Sequence, residues 1–216
     1  MSSAFLALLV GLGQGLLHGL GPDHCAAIAT LGTMGERRPT AVLKVAVRFA
    51  LGHAVMLGAL AAFCLLAGVG LSAAFERWTE MLGGALLIGL ALTALLFPGS
   101  LRHGHPHLPG HADDHHHRGS HLHGRVGTAA GAVMAVSGVR ALLLALPPLL
   151  VGGSLHLSAW AYLPGFALGV TAGMGAVGML FAHGLSRLGE RAAARIERTV
   201  MLGTAALGAT WIVVRL

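Results

Sequence analysis

The chain has 216 residues, of which 55% are hydrophobic and 10% are charged. An ordinary soluble domain carries about 25% charged residues and a disordered chain needs low hydrophobicity, so both classes are excluded. Fourteen Lys and Arg against eight Asp and Glu leave a formal charge of +6, which alone suggests nucleic acid or acidic lipid, and 14 histidines are a second anomaly.

A membrane span needs about 20 mostly apolar residues. Six runs qualify in chain order: 4–33, 41–70, 81–97, 126–153, 158–183 and 199–214. The expected fold class is therefore all-α, a polytopic membrane helix bundle of six spans. The start, Met1-Ser2-Ser3-Ala4-Phe5, lacks the basic region of a secretory signal, so the first run is expected to stay in the mature protein. Thirty-three glycines suit close helix packing. Cys25 and Cys64 both fall inside spans, which argues against a disulfide framework.

The first run reads Gln14-Gly15-Leu16-Leu17-His18-Gly19-Leu20-Gly21-Pro22-Asp23-His24-Cys25. In an unbroken helix His18 to Asp23 turns through about 500° and His18 to His24 through about 600°, so the three would not share a face. Gly19, Gly21 and Pro22 predict a break, with Pro22 opening a second helix. A break lets His18, Asp23 and His24 converge, and discontinuous helices of this type hold ions at mid-depth in transporters. Gln14, one turn before His18, could orient it. Cys25 reads as a small buried hydrophobe.

In the second run, Leu51-Gly52-His53-Ala54 places His53 about 18 Å from the edge, near mid-membrane, where it could meet His18. Alone it could equally be a hydrogen-bonded packing residue. Imidazoles with one carboxylate suit a borderline divalent ion such as nickel, cobalt or zinc, and not magnesium or calcium. The bland alternative is that His18, Asp23 and His24 satisfy one another and the broken backbone.

After the third run, residues 103–123 hold nine histidines: His103, His105, His107, His111, His115, His116, His117, His121 and His123, with Asp113 and Asp114. Such a tract is expected to be disordered without ligand and to collect transition metal as an accessory site. In the fourth run Arg140 needs a partner, and Asp23 is the natural one. A bound ion competing for Asp23 would then make Arg140 a gate; otherwise Arg140 snorkels or caps carbonyls. His156 and His183 fall near membrane edges, and Met174 and Met179 read as packing residues.

Phe49-Ala50-Leu51-Gly52 recurs as Phe166-Ala167-Leu168-Gly169, and Met81-Leu82-Gly83 as Met201-Leu202-Gly203, each at an offset near half the chain. Three spans per half would make a 3+3 inverted repeat, an arrangement typical of secondary transporters. The organisation expected is 1–97 as a first half with the metal motif, 98–125 as the His-rich connection, and 126–216 as a second half. The second half has Ser137-Gly138-Val139-Arg140 near the position that answers to His18-Gly19-Leu20-Gly21, so a metal site would be one-sided. Basic residues gather on the connections after the first, third and fifth runs. Positive-inside then puts those connections in the cytoplasm and both termini outside, and explains the +6 charge by topology rather than by nucleic acid. The basic segment 187–198 is expected to form a surface helix.

His18-Gly-Leu-Gly-Pro-Asp23-His24 resembles the H-x-x-x-x-D-H signature of the nickel/cobalt transporter family, and Leu51-Gly52-His53 resembles that family's L-G-H element. The six-span layout with a His-rich connection is similar to the urease-accessory-type and nickel/cobalt-efflux-type branches. The resemblance implies a secondary permease for nickel or cobalt in the inner membrane, with His18, Asp23, His24 and His53 as metal ligands and no prosthetic group. The partners it implies are the divalent ion and the lipid bilayer, with a second copy of the chain or a cytoplasmic metal chaperone as further candidates. It is clear in the first half and only an outline in the second. Competing readings are an anion carrier on the same fold, using Arg140 and the helix N-terminus at Pro22, and a membrane haem-binding protein. An intramembrane metalloenzyme is disfavoured, because no H-E-x-x-H occurs.

Overall fold

A computed structural model describes residues 2–35, 38–67, 72–98, 120–145 and 157–216. Seven helices account for nearly all of them: α1 Ser3–Gly19, α2 Pro22–Met34, α3 Pro39–Ala67, α4 Ala73–Leu96, α5 Ser120–Ala145, α6 Leu157–Ser186 and α7 Glu190–Arg215. Most of the His-rich tract, and His156, lie outside the described residues. α5 begins at Ser120, so the backbone of 120–125 is helical rather than part of a connection.

The first run is two helices. Ser2 caps α1, its hydroxyl accepting the Phe5 N–H at 3.3 Å. The helix ends at Gly19, where the Gly21 N–H turns back to the His18 carbonyl at 2.9 Å. Pro22 opens α2, at a position whose N–H would find no helical acceptor in any case. The two axes differ by 59°.

Two later boundaries differ from the expected ones. α4 starts at Ala73, not near residue 81, because the Ser72 hydroxyl accepts the Phe75 N–H at 3.2 Å and starts the helix ahead of Glu76, Arg77 and Glu80. α7 is one helix from Glu190, which merges the basic segment with the last apolar run. Apolar patterning marks where a helix can be buried, whereas caps mark where it begins.

Among the described residues, three helices are long and apolar enough to cross a membrane: α3 over Pro39–Cys64, α4, and α6 over Trp160–Ser186. The bent pair α1 and α2 makes a fourth if counted as one span. Within α5, Arg125–Val139 forms a shorter apolar stretch. α7 carries Glu190, Arg191, Arg195, Glu197 and Arg198 in its first turns. The outside of the bundle is apolar, with Leu17, Val55, Trp78 and Leu180 each about 70% exposed. Such a surface is a liability in water and normal against lipid.

Small residues set the packing. The buried residues of α1 are Ala7, Gly11, Gly15 and Gly19, a stripe at every fourth position. Gly11, Gly15 and Gly19 face Tyr162, Phe166 and Val170 of α6 in chain order, so the two helices run parallel and nearly touch. A Cβ on Gly15 would overlap the Phe166 carbonyl. α3 and α5 meet in the same way: Gly127 lies by Val45, and a Cβ on Gly131 would overlap the Phe49 carbonyl. Phe49 and Phe166 head the two copies of Phe-Ala-Leu-Gly, so the repeated tetrapeptide makes the same contact twice. α4 and α7 cross in opposite directions where Gly84 and Gly208 face each other, and Arg215 pairs with Glu80. α3 also packs on α6, α2 on α7, and α4 on α5. The second sequence match has no such counterpart, for Gly83 faces Ser137 whereas a Cβ on Gly203 meets nothing within 4 Å.

Candidate metal centre

His18 occupies the last turn of α1, Asp23 and His24 the first turn of α2, and His53 the middle of α3. The break at Gly19–Pro22 turns His24 back toward His18, which an unbroken helix would not do. Gly21 makes room for this fold: a Cβ there would stand 2.6 Å from Asp23 Oδ1 and 3.0 Å from His24 Nδ1. One ring nitrogen from each of His18, His24 and His53 lies within 4.8 Å of the other two. The ring centroids are 4.8 Å apart for His18 and His24, 5.4 Å for His18 and His53, and 4.7 Å for His24 and His53.

Among the described residues this is where three potential ligands gather. His53 is fully buried, His24 is 3% exposed and His18 is partly exposed. His18 Nε2 and His53 Nε2 are 3.2 Å apart. Two nitrogens bonded to one ion at about 2.05 Å, with an angle of roughly 100°, stand about that far apart. Ligation by all three needs separations of no more than about 4.2 Å, so closure asks only for a small inward rotation of a ring.

Asp23 takes a different place from the one expected of a direct ligand. Its Oδ1 accepts the Nδ1–H of His24 at 2.9 Å. That bond assigns the proton of neutral His24 to Nδ1 and leaves Nε2 with its lone pair, buried and without a partner. A carboxylate on one ring nitrogen is a common way to orient the other nitrogen of an imidazole. An unpaired buried polar group costs about 1–3 kcal/mol, so the free Nε2 of His24 makes the cluster a candidate site for an ion.

Phe166 packs on His18 with ring centroids 5.4 Å apart, and Phe49 on His24 and His53 at 6.5 and 6.3 Å. The recurring phenylalanines thus flank the three imidazoles. α5 closes another side with Gly138, where a Cβ would be 3.2 Å from His18 Nε2 and 3.6 Å from His53 Cε1. None of these three was marked as a site residue by the sequence, although the repeated tetrapeptide one turn before His53 pointed to Phe49 and its counterpart.

Gln14 does not hold His18. Its Oε1 accepts the hydroxyl of buried Tyr162 at 2.6 Å, and among the described residues no hydrogen bond joins it to His18. Tyr162, the single tyrosine of the chain, was also missed. Arg140 belongs to α5, but its side chain lies outside the described ones, as do those of His121 and His123. His183 is exposed at the end of α6, with Nε2 3.0 Å from an Arg187 nitrogen. Met174 is buried in the core and Met179 is half exposed, both away from a ligand role. Cys25 and Cys64 are free thiols.

Three imidazole nitrogens backed by one carboxylate form a donor set for a borderline divalent metal, and lack the oxygen ligands that magnesium or calcium demand. No protein-family model, curated protein or solved structure matches the chain.

Proposed function

We propose that the chain is a secondary permease for a divalent transition-metal ion, nickel or cobalt, which it binds in mid-membrane between α1, α2 and α3. The observation that carries this reading is the meeting of His18, His24 and His53 at a helix break, with Asp23 fixing the His24 tautomer. Ionisable side chains at the centre of an apolar bundle are costly and mark ion pathways. The ion is cargo, so a three-nitrogen site with modest closure suits binding that must also release.

In this proposal the broken pair α1–α2, then α3, α4, α5, α6 and α7, form six spans in two inverted halves. Helix directions support it: α1 and α6 run parallel, α3 and α5 run parallel, and α4 and α7 run opposed, as alternating spans require. The matched contacts Gly15–Phe166 and Gly131–Phe49 support the repeat. Both termini then lie outside the inner membrane, and the His-rich connection buffers metal in the cytoplasm.

A competing anion cargo fares worse: at the N-terminus of α2 it would meet Asp23, whose carboxylate already answers that positive end. The test is flux of radiolabelled nickel and cobalt in vesicles of known orientation, comparing wild type with His18→Ala. The reading expects flux in wild type and its loss in the variant; equal flux in both defeats it.

A further inference from the structure

We propose that Gly138 sets how many water ligands an ion can keep at the three-imidazole site, and so favours nickel or cobalt over zinc. The inference rests on the metal-binding reading above and names a residue that decides its selectivity. Most sides of the cluster carry side chains: Asp23 stands behind His24, Phe49 lies against His24 and His53, and Phe166 lies against His18. The side facing α5 has the bare backbone of Gly138. A methyl group there would sit 3.2 Å from both His18 Nε2 and His18 Cε1, and 3.6 Å from His53 Cε1. These are the two rings whose Nε2 atoms are 3.2 Å apart and would share the ion.

A side chain at 138 would therefore press on the edges of His18 and His53 beside the metal position. Three imidazoles and one water complete the tetrahedron of zinc. Nickel prefers tetragonal shells with further nitrogen or oxygen donors, so it needs more than one water. A Cβ at 138 removes space from those extra waters and presses on His18. Its cost falls on nickel and cobalt, while a compact zinc complex is left nearly intact.

The experiment uses the full chain purified in detergent, with cobalt(II) as spectroscopic probe and nickel and zinc as competitors. Tetrahedral cobalt absorbs visible light far more strongly than five- or six-coordinate cobalt. Wild type is expected to give a weak band. Gly138→Ala is expected to give an intense one and to shift the nickel-to-zinc affinity ratio toward zinc on the order of tenfold. Gly175→Ala, at an α6 glycine with nothing within 4 Å, controls for helical glycine replacement and should change neither. An intense tetrahedral band in wild type overturns the proposal even if Gly138→Ala fails to fold. Unchanged spectrum and ratio in folded Gly138→Ala overturn it too, leaving the permease reading in place. Metal binding that His18→Ala does not alter removes both.

Discussion

Replacing Asp23 with asparagine keeps the side chain's shape and an acceptor oxygen but removes its charge. The buried 2.9 Å bond from His24 Nδ1–H to Asp23 Oδ1 becomes a neutral bond of roughly half the strength. Loss of such a supporting partner lowers metal affinity about 10- to 100-fold, or about 1.4 to 2.7 kcal/mol. Asp23→Ala goes further, because it strands the Nδ1–H of a residue only 3% exposed, at about 1–3 kcal/mol of stability. Isothermal titration of detergent-purified protein with nickel, alongside thermal unfolding, reads both quantities. The order expected is wild type, then Asp23→Asn, then Asp23→Ala, with His24→Ala lowest in affinity. Asp23→Asn as weak as His24→Ala would make Asp23 a direct ligand and refute its positioning role. Asp23→Asn equal to wild type would mean the carboxylate does not aim the ring.

The helix contacts make a paired prediction: Gly15→Ala and Gly131→Ala each destabilise by about 1–3 kcal/mol through overpacking. Gly13→Ala, with open space around its Cβ position, should be neutral or slightly stabilising in denaturant titrations; equal losses at all three would contradict the close approach. Deleting 103–123 should change metal sensitivity in cells while flux in vesicles persists, and complete loss of flux with intact folding would contradict a buffering role.

The break in the first run was legible because it is local chemistry. Gly19, Gly21 and Pro22 interrupt a helix through their own backbone properties, and Pro22 does open α2. The proximity of His18, His24 and His53 followed from depth in the membrane, a one-dimensional quantity that residue counting gives. The helix start at Ala73 did not follow, because hydropathy scores burial and passes over a charged first turn that a cap can carry, whereas the helix expected over the basic segment 187–198 is present from Glu190 as the start of α7.

What sequence alone determined was the kind of chain, the broken helix and the identity of the three imidazoles. Only the tertiary structure decided which atom faces which. The spacing of Asp23 and His24 did not say where the carboxylate lies, and the structure puts its Oδ1 on His24 Nδ1 at 2.9 Å. Phe166 and Gly138 reach His18 from more than 100 residues away in the chain, through the parallel pairing of α1 with α6 and the placement of α5 beside His18 and His53. Helix association in lipid depends on close fit and van der Waals contact rather than on a hydrophobic force between helices. Partners are chosen by three-dimensional matching of small-residue stripes, which no local pattern in the chain specifies.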